Sequence, residues 1–265
     1  MIKLLDIDQL QAHDIEQIWR HVTVTTVPAL TGNVAWSFEG NGIRTRTTFL
    51  QAFQSLGLTY IELPNFLKTD ESVADLAGYM DGFYDVYVIR ERNHSRLVEF
   101  AAATKRPLIN AMSSEAHPCE VLTDAYYLST RFTSLPDVRI LLWGPMTNVF
   151  KSWHALARVM GLNVTHYCPE PFQTNEAPVR FVSQLSGHYD VLITDAWPSG
   201  FTDDRYTLTK NTLAELGDPL LLPTPPVTVG NELAQPLSEY QGFVGYAQKQ
   251  LLLPVQRAII TYLLG

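Results

Sequence analysis

The chain has only two cysteines, Cys119 and Cys168, in 265 residues, so no disulfide framework is available and both thiols are expected to be reduced. Long apolar runs are missing too. No stretch approaches the roughly 18 residues of a membrane span, and the N-terminal Met-Ile-Lys-Leu-Leu-Asp turns acidic too soon for a secretory leader. A cytoplasmic setting is expected, in which the Asn-X-Ser/Thr triplets at Asn93 and Asn163 carry no glycan. Basic residues are in deficit, 19 Lys and Arg against 27 Asp and Glu, for a formal net charge of −8. That balance argues against a general nucleic-acid or acidic-membrane partner, since both are held by cations that neutralise phosphates. Metal-ligand spacing is absent: His13, His21, His94, His154, His166 and His188 are scattered. There is no dinucleotide fingerprint, Walker-type loop, short repeat or low-complexity tract, and neither metal nor cofactor is expected.

What is present reads as a globular α/β protein. Hydrophobic residues make up 46% and charged residues 17%, outside the range of disordered chains. The length suits one large or two modest domains. Helical spacing at Leu10, Ile15, Ile18 and Trp19 is followed by a strand over Val34 to Phe38 and a helix packed through Phe49, Ala52, Phe53 and Leu56. Strands at 59–63, 84–89 and 107–111 then alternate with helices at 72–80, 95–104 and 118–130, the last with Pro118 in its first turn. After a hinge-like segment at 131–137 the alternation restarts. Strands are expected at 138–143, 163–168, 190–194 and 220–222, helices at 148–160 and 177–185, and a helical pattern from 240 to 264 interrupted by Pro254. This is the pattern of two doubly wound parallel-sheet domains with an interdomain cleft. The expected domains are 1–133 and 134–240, with 241–265 returning to the first. In such sheets ligands sit beyond the carboxyl ends of the strands.

One strand end is unusual. After Phe38 comes a turn loosened by Gly40 and Gly42, with Ile43 after it, and the helix that begins near Arg44 or Thr45 carries Arg44, Thr45, Arg46 and Thr47 at its opening. The first N–H groups of that helix, the positive end of its dipole, two arginines and two hydroxyls converge there, which suits a phosphate. The same residues also suit an ordinary polar first turn.

The order of segments then resembles the aspartate and ornithine carbamoyltransferase family over nearly the whole chain. Phe38-Glu39 with Gly42-Ile43-Arg44-Thr45-Arg46 is similar to the family's Phe-Glu-X-X-Ser-Thr-Arg-Thr-Arg motif. Arg90 matches its carbamoyl-phosphate arginine, and His117-Pro118-Cys119-Glu120 resembles His-Pro-Cys-Gln. Gly144 through Asn148-Val149 resembles Gly-Asp-X-Asn-Asn-Val, and Thr194-Asp195-Ala196-Trp197-Pro198-Ser199 resembles the Thr-Asp-Val-Trp-X-Ser segment of the ornithine branch. The resemblance implies a carbamoyltransferase-like fold, carbamoyl phosphate as donor and a homotrimer whose site is completed by a neighbour's loop. Lys68 is the candidate for that loop residue and also reads as a solvated lysine.

Carbamoyl transfer has an amine attack the carbonyl carbon of carbamoyl phosphate, so charge grows on the carbonyl oxygen while phosphate leaves. The resemblance gives the phosphate to Gly42, Ile43, Arg44 and Thr45, and gives the carbonyl oxygen to Arg90 and His117 in the manner of an oxyanion hole. His117 also reads as a helix cap.

The departures bear on the substrates. Gly42-Ile43 replaces Ser-Thr, and Glu120 replaces the glutamine that holds the carbamoyl group. A carboxylate at 4 Å from a phosphate charge costs roughly 4 kcal/mol at an effective dielectric near 20, so Glu120 is paired with an arginine, protonated, or facing a different donor. Asn148, Asp195 and Ser199 match acceptor-holding positions, but Leu222-Pro223 stands where the family has His-Cys or His-Pro. The acceptor is therefore expected to be an amine of an amino-acid-like molecule other than the usual pair. A catalytically silent binding or regulatory relative, and an enzyme using another donor, are the alternatives.

Overall fold

A computed structural model of the chain describes residues 2–24, 29–174 and 178–265. The elements run β1 (Lys3–Leu4), α1 (Ala12–Val22), β2 (Asn33–Phe38), α2 (Ile43–Ser55), β3 (Thr59–Glu62), α3 (Val73–Met80), β4 (Val86–Arg90), α4 (His94–Ala103), β5 (Leu108–Met112), α5 (Pro118–Ser129), β6 (Ile140–Trp143), α6 (Asn148–Met160), β7 (Val164–Tyr167), β8 (Arg180–Val182), β9 (Val191–Asp195), α7 (Lys210–Glu215), β10 (Leu220–Thr224), α8 (Ala247–Gln250) and α9 (Leu252–Leu264). Two compact units share them, Met1–Thr123 with Leu251–Gly265, and Asp124–Gln250. The division falls within α5, before the 131–137 segment that reads as a hinge, and again between α8 and α9.

In the first unit five strands form one sheet in the order β1-β5-β4-β2-β3, with every pairing parallel. Its inner strands are buried, as expected where helices cover both faces. Alternate residues of β2 serve opposite sides. Trp36 packs at 5.6 Å from both Phe49 and Phe53 of α2, tilted against the first ring and edge-on to the second. Ala35 joins Tyr87 and Ile89 in a cluster with Leu76 and Ala77 of α3 and Leu97 and Phe100 of α4. The returning α9 packs against α1 and α2. Because β3 lies on one side of β2 and β4 on the other, the winding reverses at β2, and the crevice between the ends of β2 and β4 is where such a sheet binds ligands.

The second unit repeats the plan with the all-parallel order β10-β9-β6-β7-β8. Its reversal lies between β6 and β9. Leu141, Trp143, Leu192 and Leu221 pack with Leu213 and Leu216 at α7.

Two elements, β1, which pairs with β5, and the short helix α7, carry no sequence expectation, and three expectations need correction. Of the helix expected at 177–185, residue 177 lies outside the described residues and Arg180–Val182 form a strand on β7. The last strand runs through Pro223 to Thr224, which a proline permits because β10 is an edge strand and the ring costs no central ladder bond. The pattern from 240 to 264 is two helices, and Pro254 lies in the first turn of the second, where a missing N–H is harmless. Among the described residues no helix is long and apolar enough to cross a membrane.

Candidate active site

The opening of α2 is shaped by what Gly42 lacks. Gly42 is the N-cap, with φ 13° and ψ 46°, and no side chain caps the first turn. The first helical bond runs from the Arg46 N–H to the Gly42 carbonyl at 3.0 Å, so the N–H groups of the turn before it are those a helix leaves for a ligand. A Cβ on Gly42 would lie 2.5 Å from the Phe38 ring and 2.9 Å from the Arg90 guanidinium carbon. Any larger residue would therefore have to push these side chains aside, and glycine lets the chain bring Arg90 directly against the start of α2.

Phe38 is the platform beneath. The guanidinium carbons of Arg46 and Arg90 lie 4.8 Å and 5.1 Å from its ring centroid, within cation-π range. Arg46 is also paired with Glu62 of β3. Arg90 ends β4, where the register slips: Ile89 faces Asn110 but Arg90 faces Met112. A bulge of this kind re-aims the residue beside it. Burial and the neighbouring Arg92 make the charge on Arg90 less favourable than usual, and the Glu39 and Glu120 carboxylates oppose that effect.

Glu120 belongs to the first turn of α5. Its Oε2 lies 4.0 Å from His117 Nε2, and both side chains are buried. The turn that presents His117 is fixed by Ser113 Oγ, which gathers Asn110 Nδ2 at 3.1 Å, the Ala116 N–H at 3.2 Å and His94 Nδ1 at 2.8 Å. On the far side of Arg90, Glu39 accepts from Lys68 Nζ at 2.6 Å and from the Arg92 N–H at 2.8 Å. The Lys68 hydrogen bond is the main reason that the Glu39 carboxyl is lowered to about 2.

In the second unit the loops at the sheet's reversal carry Gly144 to Asn148 and Asp195 to Ser199. Thr147 caps α6 by accepting from the Phe150 N–H at 3.2 Å, and Asn148 Oδ1 accepts from the Val149 N–H at 3.0 Å. Asp195 is buried at the end of β9, and Ser199 is exposed. The loop after β9 is anchored by the buried Glu232, whose two oxygens accept from the N–H groups of Trp197 and Thr228, each at 2.7 Å.

A family model described as aspartate/ornithine carbamoyltransferase, carbamoyl-P binding domain, matches residues 3–130. The ornithine carbamoyltransferase of Methanococcus aeolicus is 25% identical over 299 aligned positions, covering 98% of this chain and 98% of that protein. That of Methanopyrus kandleri is 26% identical over 303, covering 99% and 97%. Over residues 3–130 the chain carries the carbamoyl-P binding domain of the aspartate/ornithine carbamoyltransferase family. Among solved structures, ornithine carbamoyltransferases from Burkholderia thailandensis and Pyrococcus furiosus each superpose with a TM-score of 0.90 at 20% identity, over 100% and 99% of this chain and 99% and 97% of theirs. At that identity the likeness establishes the carbamoyltransferase fold.

Within this carbamoyltransferase-family fold the structure brings Gly42, Arg90, Glu120 and His117 into one linked group. Thr45 is buried in the first turn of α2, and Arg44 and Ile43 stand exposed on it. The Thr47 hydroxyl, read from sequence as facing the same end, instead donates to the Ile43 carbonyl at 2.7 Å. Lys68 is not a free loop lysine, since Glu39 of its own chain holds it. Leu222, expected to contact substrate, is wholly buried inside β10, and Pro223 is buried opposite Thr194. Both belong to the sheet, and the strand leaves it only after Thr224, which still pairs with Asp195. The sequence reading missed the roles of Phe38, Glu39 and Arg92. The available signal was a charged residue placed directly after each of two buried strands, Glu39 after β2 and Glu91-Arg92 after β4.

Proposed function

We propose that the protein transfers the carbamoyl group of carbamoyl phosphate to an amine of an amino-acid-like acceptor and releases phosphate. The observation that carries this reading is Arg90, seated against Gly42 at the start of α2 and under the influence of Glu120, which neighbours His117. The N–H groups of Gly42, Ile43 and Thr45, with the Arg44 side chain, would hold the phosphate. Arg90 and His117 would stabilise the carbonyl oxygen as charge grows on it, and Glu120 would accept from the carbamoyl NH₂. The repulsion expected between Glu120 and a phosphate is offset by its nearness to one cation and one imidazole, both within its first turn or the adjoining strand end. Lys68 would have to leave Glu39 to reach a ligand.

On the acceptor side Asn148, Asp195 and Ser199 are the proposed contacts, and Asp195 suits an acceptor carrying a positively charged amino group. The relatives named above are ornithine carbamoyltransferases, so L-ornithine is the first amine to try. A cytoplasmic homotrimer is proposed as well. Two buried, unpaired cysteines agree with a reducing compartment, and the exposed Tyr60 and Ile61 on edge strand β3 offer apolar surface to a neighbouring copy.

Calorimetric titration with carbamoyl phosphate, followed by phosphate release across L-ornithine, L-aspartate and simple diamines, tests the reaction. Binding with turnover is expected. Arg90→Ala and His117→Ala should each lower kcat about 10²- to 10³-fold. Binding without turnover on any amine would favour a silent relative, and no binding would overturn the donor assignment.

A further inference from the structure

Two histidines left unused by the proposed chemistry form a buried line in the second unit. His154 on α6 and His166 on β7 are both wholly buried. His154 Nε2 lies 3.0 Å from His166 Nδ1, and His166 Nε2 lies 2.9 Å from the Gly144 carbonyl oxygen. A carbonyl only accepts, so His166 Nε2 carries the proton. The neutral ring then has an acceptor at Nδ1, and His154 must donate to it from Nε2. Burial, with His154 beside it, holds the His166 pKa down at about 3, so the ring stays neutral and this tautomer persists near neutral pH. Phe150 at 4.9 Å and Phe181 at 5.3 Å fix the plane of the ring.

Gly144 is the point where this line ends and the loop to Asn148 begins. Its N–H donates to the Tyr167 carbonyl at 3.0 Å while its carbonyl accepts from His166, so adjacent residues of β7 hold the two peptide units that flank Gly144. Its φ is +122°, and a Cβ there would lie 3.4 Å from Trp197 Nε1, in the loop after β9. The loops bearing Asn148 and Asp195 thus meet at a glycine whose orientation is held by an imidazole. We propose that His166, oriented by His154, is a positioning residue that sets Gly144 and thereby the acceptor-binding loop from Gly144 to Asn148. The statement about the acceptor rests on the function proposed above.

Deuterium exchange on the full chain reads the positioning without any substrate. In His166→Leu, a peptide spanning 144–150 is expected to exchange about tenfold faster or more, while one spanning 43–49 is unchanged. His166→Gln, whose amide can donate to Gly144 and accept from His154, should stay close to wild type. With L-ornithine as the probe amine at saturating carbamoyl phosphate, KM for the amine should rise on the order of 10- to 100-fold in His166→Leu, with a smaller change in kcat and an unchanged calorimetric affinity for carbamoyl phosphate. Ring-nitrogen NMR should show His166 protonated at Nε2 and untitrated from about pH 5 to 8. Unchanged exchange over 144–150, an Nδ1-protonated or titrating His166, or a wild-type KM in the leucine variant would overturn the inference. If His166→Leu does not fold, His154→Leu, which removes only the outer ring, takes its place. Should wild type release no phosphate with any amine, the proposed reaction falls, and the exchange and NMR results still decide the role of His166.

Discussion

At Gly42 one methyl group separates the proposed anion seat from an obstructed one. A Cβ there meets the Phe38 ring and the Arg90 guanidinium at distances real side chains do not adopt, so Gly42→Ala must displace both of them. Overpacking of this kind costs about 1–3 kcal/mol. The variant should show a lower Tm and, if the donor assignment holds, weaker calorimetric binding of carbamoyl phosphate. Glu39 makes a second prediction, this time about pH. Its folded pKa of about 2 lies below the ordinary 4.5, chiefly because Lys68 donates to it. A depressed carboxylate stabilises the folded state above its unfolded pKa and loses that effect as pH falls through the folded value. Glu39→Gln should therefore lower Tm at neutral pH, and the gap to wild type should close between about pH 4.5 and pH 2. Glu91, which burial raises, works with the opposite sign, so the comparison has to be made on the Glu39 variant. A gap independent of pH would show that the pair with Lys68 contributes nothing.

The proposed site residues lie at helix starts and strand ends, and these differ in how plainly the sequence announces them. Thr147 is a side-chain cap that propensity predicts, and Thr147→Ala should cost roughly 1 kcal/mol, seen as a lower urea midpoint with unchanged slope. The start of α2 has no such cap, and the same uncapped turn is what recommends it as a phosphate seat. Central strands such as Val86–Arg90 were legible because a strand buried on both faces reads as an apolar run. Arg180–Val182 was not, because three residues carry no period and the pairing with β7 alone makes them a strand. Pro223 misled in the other direction: it reads as the end of a strand, yet an edge strand tolerates it. The same limit applied to the site. Arg90, His117 and Glu120 could be named from their order along the chain. The slip at Ile89 and Arg90 that aims the guanidinium, and the Phe38 ring beneath it, arise from sheet register and side-chain packing, which no linear motif encodes.

Over the whole molecule, chain order and spatial order part company at the end. After leaving the first unit within α5, the chain builds the second and then gives Leu251–Gly265 back to the first. There α9 lies against α1 and α2, and α2 is the helix whose start forms the proposed phosphate seat. Leu252, Val255, Ile259 and Ile260 of α9 are all buried. At roughly 1.5–3 kcal/mol for each buried aliphatic side chain, they carry a contribution comparable to the entire ~5–15 kcal/mol stability of an ordinary domain. A chain ending at Gln250 should therefore lose the first unit's cooperative unfolding transition and its carbamoyl phosphate binding together, while the second unit, which contains none of the removed residues, keeps its own transition. Calorimetry on the truncated chain checks both. Retained donor binding in that chain would mean that α2 holds its place without α9, and that the seat depends on the packing of Phe49 and Phe53 against Trp36 alone.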